Sequence, residues 1–411
     1  MNDIFEPEIF GWRFAESKTR AWLESFGFTE IKTPVVEMTS LFMRSVGDTT
    51  DIVQKEMYTF NDRNNESLTL RPEGTAAVVR ALVEHNLLNN DPVQKLYYWG
   101  PMFRYERPQK GRHRQFYQYG LEFFGVEQAW ADAEVIGLLA KLYTDLGLKD
   151  LSVRLSSMGC ENCRPVYKKQ LVELLKPSMQ ILCPDCQKRL ETNPFRILDC
   201  KNPTCKEVAS VLPSMLDFLD QPCQEHFDEV RDHLVRIGTA FVVDKRLVRG
   251  LDYYNKTVFE ITTNALGAQN AVGGGGRYDK LVSDLGGPTC PAVGYAGGVE
   301  RLILLLGESR IAELKPKLKL FIVCPDKRGM EPAFQLAFNL RANGISVDLD
   351  YTGKSMKSQM KKADKFAAQF VLILGGNELD QGIGILRDMT TKAQENIKLA
   401  ELETDLMRRL K

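Results

Sequence analysis

The chain has 411 residues, more than one ordinary hydrophobic core organises, which predicts two or three domains. Apolar residues make up 44% and charged residues 26%, and no run approaches the roughly 20 apolar residues of a membrane helix, which argues against disorder and against a bilayer location. The 54 Lys and Arg balance the 54 Asp and Glu, so bulk charge makes no case for nucleic-acid binding and only local patches can. The opening MNDIFEPEIF carries no hydrophobic targeting run, which predicts a cytoplasmic location where nine cysteines read as thiols or metal ligands before disulfides.

From Pro7, a favourable first helical position, Phe10, Phe14, Trp22 and Phe26 recur at helical spacing, and Gly27 closes the helix. FTEIKTPVVE reads as a strand, with Pro34 placing it at a sheet edge or bulge. Helices follow at TAAVVRALVEHNL and DAEVIGLLAKLYTDL, with antiparallel strands KLYYWGPMFRYE and RQFYQYGLEFFG between them. Seven of the nine cysteines lie between Gly159 and His226, where the pattern turns helical and charged; this predicts an insertion at about residues 160–235. Strands resume in FVVDKRLVRGLDYYNKTVFEITT, then come the glycines 273–276 and the strand-to-helix passage PAVGYAGGVERLILLL, which closes a first domain at residue 314. Residues 315–411 alternate strand and helix (LKLFIVCPD, a helix to Ala342, ISVDLDY, a Lys-rich helix, FVLILGG) and carry 17 basic against 12 acidic groups, so this smaller α/β domain is +5 while the rest is −5.

Strand parity puts Gly100 and Arg104 on one face and Gln118, Gly120 and Glu122 on one face of the partner strand, a poor core but a floor for a small polar molecule, or else a solvent-facing side. Residues 104–114 hold Arg104, Arg107, Lys110, Arg112 and Arg114 against Glu106 alone, a phosphate-seeking composition that is also found in surface hairpins. Glu73 and Thr75 flank Gly74 at a helix mouth, where a carboxylate caps the helix or holds an ammonium. Arg249 precedes Tyr253 and Tyr254 and reads as a cation near aromatic faces. Four successive glycines are unfavourable in a strand unless something approaches the backbone, the alternative being a linker. Gly294, Gly297 and Gly298 lead into the helix bearing Arg301, where a base or phosphate could reach the backbone, although neither the phosphate-loop nor the dinucleotide pattern is present. Cys160-x2-Cys163, 19 residues, then Cys183-x2-Cys186 has the spacing of a tetrahedral zinc site, with Cys200 and Cys205 as substitutes; a reduced group of thiols is the alternative.

In this order the segments resemble a class II aminoacyl-tRNA synthetase. GFTEIKTPVVE, MFRYERPQKGRHRQFYQYGLEFFG and VGYAGGVERLILLL are similar to the three class motifs, while VRGLDYYNKTVFE and GGGGRYDKL resemble the two segments peculiar to the histidyl-tRNA synthetase family. The resemblance implies an α+β fold: a catalytic domain on an antiparallel sheet (residues 1–314), interrupted by the helical insertion, and a C-terminal α/β anticodon-binding domain (residues 315–411). It implies a homodimer that couples L-histidine to tRNA(His) through a histidyl-adenylate, using ATP and Mg2+. Residue by residue it implies Arg104 and Arg249 at the α-phosphate and in the histidine site, Arg104, Arg112 and Arg301 on ATP, Glu73, Thr75 and Gln118 around the histidine ammonium with Gly74 also in the histidine site, Glu122 and Tyr254 on the ring nitrogens with Tyr253 nearby, and Arg107 and Gln109 at the tRNA acceptor end. Lys357, Lys361 and Lys365, at helical spacing, form a candidate basic stripe for tRNA. Similar chains carry an Arg-Gly pair upstream of the Met-Asn-Asp stretch, and the family's chemistry does not require zinc. The rival reading, a non-charging regulatory subunit of histidine biosynthesis, is disfavoured because such proteins lack the C-terminal domain and an arginine at the place of Arg249. Relatives specific for proline or threonine fail at the two histidine-family segments, and a noncatalytic RNA-binding protein has no need of Glu73, Gln118 and Glu122 beside phosphate-seeking arginines.

Overall fold

The computed structural model describes residues 2–47, 50–107, 111–266 and 271–410. The chain forms two compact units, Met1–Leu314 and Lys315–Lys411. No helix among the described residues is long and apolar enough to cross a membrane.

An eight-stranded sheet organises the larger unit, in the order Thr29–Glu30, Gln94–Phe103, Gln115–Phe124, Ala292–Gly298, Ala271–Arg277, Asn255–Thr263, Leu151–Ser157, Phe241–Val243. The six inner strands are antiparallel to their neighbours, and the two short edge strands pair in parallel. Alternation divides the side chains into two unlike faces. Tyr97, Tyr119, Leu121, Phe123, Val293, Tyr295, Phe259 and Ile261 build one face and join the main core with Trp12, Ala15 and Leu23 of helix Glu8–Ser25 and with helices Ala129–Asp145 and Val299–Glu313. The opposite face carries Gln118, Gly120, Glu122, Gly274, Gly294, Ala296, Gly298, Glu260 and Thr262, aligned across strands by the pairs Gln118↔Gly298, Gly120↔Ala296, Glu122↔Gly294, Gly274↔Ala296 and Gly274↔Glu260. Such a set cannot exclude water by packing, so it floors a cavity.

FTEIKTPVVE is not one strand. It gives Thr29–Glu30 at the edge of the large sheet and Val36–Met38 in a separate three-stranded sheet with Ser67–Leu70 and Tyr58–Asn61, and the chain changes sheet around Pro34, which has no N–H to continue a ladder. The insertion is helical, with helices Cys163–Leu175, Pro184–Thr192, Pro203–Ser210 and Gln221–Arg236.

The smaller unit has a five-stranded sheet ordered Val347–Leu349, Leu320–Val323, Phe370–Ile373, Ile383–Asp388, Gln394–Lys398, the first three parallel and the last two an antiparallel extension. Leu320, Ile322 and Leu372 face helices Lys327–Ala342 and Leu399–Leu410, while Phe321, Val323 and Val371 face helix Met356–Lys365. That last helix buries Gln359 and Ala363 and leaves Lys357, Lys361 and Lys365 exposed.

Candidate active site

A cavity of about 820 Å³ lies over the glycine-rich face of the large sheet, within the range of small-molecule sites. Arg104, Arg112, Arg249 and Arg301 line it, together with Glu73, Thr75, Gln118, Tyr253 and Tyr254. These come from five separate stretches of the chain, so the expected groups converge through sheet order rather than through proximity in sequence.

The glycines are explained by what lies across them. A Cβ at Gly274 would stand 2.4 Å from Arg249 Nη1, one at Gly100 2.4 Å from Arg71 Nη2, one at Gly120 2.3 Å from the Tyr98 ring, and one at Gly294 1.9 Å from Glu122 Oε2. The close approach expected at this floor is therefore made largely by the protein's own side chains. Gly74, the N-cap of helix Thr75–Glu84, is likewise covered by Tyr98.

At one end the chemistry is cationic. Arg104 donates through Nε to the Pro72 carbonyl at 2.8 Å and lies 3.9 Å from Glu106, which also pairs with Arg112 at 3.0 Å. Arg249 donates to Glu260 at 2.5 Å with its guanidinium 5.6 Å over the Tyr254 ring, and its Nε is buried with no partner among the described residues. Arg301 donates to the Ala271 carbonyl, and burial, then the neighbouring Arg112, push its pKa down. Several guanidinium groups thus repel one another around a common space, the electrostatic condition of an anion site.

At the other end, Glu73 is buried and accepts from the Thr75 and Ala76 backbone amides at 2.7 and 2.8 Å, so it caps the helix, and burial pushes its carboxyl up. Gln118 is buried with Oε1 unpartnered among the described residues. Glu122 lies beneath the cavity, fully buried; Thr75 donates to one oxygen at 2.7 Å and the Tyr278 hydroxyl to the other, while burial pushes its carboxyl up to about 8. The Tyr253 and Tyr254 ring centroids lie 4.6 Å apart with the planes tilted by 52°, and Tyr278 meets Tyr253 edge-on at 5.5 Å.

Arg107 is exposed and does not line the cavity, and Gln109 and Lys110 lie outside the described residues. The expected single cysteine site is not formed. Cys160 and Cys163 group with Asp220 and Cys223, whereas Cys183 and Cys186 group with Cys200 and Cys205. Helix Cys163–Leu175 and the turn Lys176–Ile181 hold the two Cys-x2-Cys pairs apart, and later segments return to complete each group. Sequence reasoning also passed over Glu260, Tyr278 and Tyr98. Parity could have flagged Glu260, which shares a face with Thr262, but Tyr278 and Tyr98 reach their partners only through the tertiary fold.

Comparison with known proteins agrees with this arrangement. The family sequence model described as Histidyl-tRNA synthetase matches residues 1–161 and 204–302, and that described as Anticodon binding domain matches residues 319–409. The chain belongs to the histidyl-tRNA synthetase family. Among its relatives, the histidine--tRNA ligase of Geobacter sulfurreducens is 49% identical over 402 residues, covering 98% of this chain and 97% of that protein. The ligase of Syntrophotalea carbinolica is 48% identical over 407 residues, 99% and 97% of the two chains. The crystal structure of apo S. aureus histidyl-tRNA synthetase is 36% identical with a TM-score of 0.83, covering 99% of this chain and 98% of that one. Within the family match, the stretch left unmatched, 162–203, holds four of the insertion's cysteines.

Proposed function

We propose that this chain attaches L-histidine to tRNA(His) in two steps, forming histidyl-adenylate from ATP and then passing the histidyl group to the terminal ribose hydroxyl of the tRNA. The observation that carries the reading is a pair of buried, unpartnered atoms in one cavity. Among the described residues, Gln118 Oε1 lacks a donor and Arg249 Nε lacks an acceptor. An α-amino acid supplies an ammonium for the first and a carboxylate for the second, and buried polar groups are stable only when paired.

In the first step a histidine carboxylate oxygen bonds to the α-phosphorus as the bond to the β-phosphate oxygen breaks, releasing pyrophosphate. Negative charge grows on the non-bridging oxygens, and Arg104 and Arg249, already oriented by Pro72 and Glu260, stabilise it without reorganising. Arg112 and Arg301 hold the nucleotide. Mg2+ would be held by the nucleotide's phosphates, with Glu106 and Glu260 the carboxylates that line the cavity, and would supply neutralisation of phosphate charge. Glu73, Thr75 and Gln118 surround the ammonium. Glu122 retains free lone pairs beyond those used by Thr75 and Tyr278, so it accepts from one ring nitrogen while Tyr254 meets the other, with Tyr253 alongside. In the second step the ribose hydroxyl attacks the acyl carbon and AMP leaves, with Arg107 and Gln109 at the acceptor end. The smaller unit, with its exposed stripe Lys357, Lys361 and Lys365, takes the anticodon end.

The working unit is a homodimer in the cytoplasm. Supporting the dimer, the three-stranded sheet presents Val36, Met38, Phe60, Leu68 and Leu70 on one face, with Val36, Met38 and Phe60 39%, 44% and 46% exposed. Amino-acid-dependent pyrophosphate exchange, run with each amino acid in turn and followed by tRNA(His) charging, tests the reading. Exchange with histidine alone, then charging, is expected; histidine binding without exchange would establish the regulatory-subunit reading instead.

A further inference from the structure

The cysteines of the insertion do more than pack. We propose that this segment holds two structural zinc ions, one bound by Cys183, Cys186, Cys200 and Cys205 and one by Cys160, Cys163, Cys223 and Asp220, and that the first braces a wall of the catalytic cavity.

Geometry is the primary argument. In each group the four ligand atoms all lie within 4.8 Å of one another, with Cys183 Sγ 3.8 Å from Cys200 Sγ and Cys160 Sγ 3.4 Å from Cys163 Sγ. A tetrahedral site with Zn–S bonds of about 2.3 Å has edges of about 3.8 Å, whereas a disulfide needs about 2.05 Å. All nine cysteines are free. The spacings Cys183-x2-Cys186 and Cys200-x4-Cys205 are those of a structural zinc knuckle, and Asp220-x2-Cys223 repeats the two-residue spacing with an oxygen ligand that zinc also accepts. Backbone amides already point at the sulfurs: Cys183 N donates to Cys205 Sγ, Asn162 N to Cys160 Sγ and Asp220 N to Cys163 Sγ, each at 3.3 Å, an arrangement that stabilises thiolates rather than thiols.

The link to the cavity is direct. Cys200 and its neighbours Leu198, Asp199 and Lys201 line it. From the same segment Asn193 donates to Asp252 at 2.8 Å, next to Tyr253, and a Cβ on Gly250 would stand 3.3 Å from Arg196. Arg189 and Arg196 also pair with Asp51, at 3.0 and 3.4 Å. One helix and one short turn are the only regular structure between Cys183 and Cys200, and a metal cross-link adds to the packing of Leu190, Phe195 and Ile197 in fixing this wall relative to the loop bearing Arg249, Tyr253 and Tyr254. Cys200 and Cys205 are positioning residues on this account.

The metal content can be tested without reference to catalysis; only the bracing rests on the function proposed above. The full chain, purified under reducing conditions without chelator or a histidine tag, is expected to carry about two zinc ions by mass spectrometry of the metals. Cys205→Ser and Cys223→Ser are each expected to lose one of them. Cobalt replacement in the unaltered chain is expected to give the intense visible bands of tetrahedral thiolate coordination, a readout that does not depend on a variant folding. Zinc far below stoichiometry, stoichiometric iron, or weak octahedral cobalt spectra would overturn the proposal. For the bracing, Cys205→Ser is expected to raise the histidine KM roughly tenfold or more while kcat changes less. Loss of one zinc with an unchanged histidine KM would overturn that part alone, and failure of histidine-dependent exchange in the wild-type chain would instead refute the functional reading.

Discussion

Replacing Glu122 by glutamine keeps the volume of the side chain and one of the two acceptor oxygens that Thr75 and Tyr278 bond, but removes its proton equilibrium. Burial pushes this carboxyl up to about 8, whereas in an unfolded chain it titrates near 4.3. Between those two values the folded chain holds a proton that the unfolded chain has released. Stability from this group is therefore complete below about pH 4.3, declines as pH rises, and levels off above about pH 8. Each pH unit inside the window is worth about 1.4 kcal/mol, so wild-type stability is expected to fall by roughly 2 kcal/mol between about pH 6 and about pH 8 from Glu122 alone. Glu122→Gln does not titrate, and the gap between the two proteins should change by that amount over the same interval. All four tryptophans lie in the larger unit, so urea unfolding followed by tryptophan fluorescence reads the relevant transition. The same variant presents an amide donor where, on the function proposed above, a ring N–H needs an acceptor. Mismatching one buried hydrogen bond costs about 1–3 kcal/mol, and the histidine KM should rise roughly 5- to 150-fold with the ATP KM nearly unmoved. Parallel pH profiles, or equal changes in both KM values, would refute the placement of this carboxyl.

Arg249→Met removes one of two charges proposed to meet the α-phosphate, and kcat for pyrophosphate exchange is expected to drop about 10²- to 10³-fold; a loss under tenfold would exclude Arg249 from the transition state. Neutralising Lys357, Lys361 and Lys365 to glutamine together should reduce the slope of log affinity for tRNA against log salt by about 2, whereas an unaltered slope would show that the stripe meets no phosphates. Phe60→Asp puts a charge on the exposed apolar face of the three-stranded sheet, and sedimentation should then report a species of half the wild-type mass; an unchanged mass would place the dimer contact elsewhere.

What could be read from the sequence was whatever alternation or composition carries locally. The contrast between Tyr117, Tyr119 and Leu121 on one side and Gln118, Gly120 and Glu122 on the other is visible in ten letters, and it correctly separates the core face from the cavity floor. The order of strands is not local. That Glu122 lies opposite Gly294, so that a side chain there would collide with its carboxylate, depends on pairing across 172 positions. For the same reason the glycine run announced a close approach without naming Arg249 and the Tyr295 hydroxyl as what approaches. The cysteine spacing pointed toward metal chemistry, yet chain distance could not say which pairs meet, and Asp220 is invisible to a count of sulfurs. At FTEIKTPVVE the apolar pattern was continuous across a proline, and the missing donor decided where one sheet ended and the next began.

The cavity is charged before any ligand arrives. Arg104 and Arg112 share Glu106, Arg249 has Glu260, and Arg301 bonds a carbonyl. Burial is the main influence that lowers the Arg301 pKa, with Arg112 and Arg104 adding to it by repulsion and Glu106 and Glu260 opposing them. The fold holds this repulsion because the arginines are anchored from the floor: Arg249 rests on Gly274, where any Cβ would displace it, and Arg301 is fastened to the Ala271 carbonyl on the same glycine-bearing strand. On the function proposed above, a polyphosphate entering such a space meets guanidinium groups, and charge developing at the α-phosphorus meets donors already in place. Of the four glycines 273–276, Gly274 thus serves the proposed chemistry through the arginine it admits, while Gly273 admits the Tyr295 hydroxyl and Gly275 and Gly276 admit the backbone of the neighbouring strands.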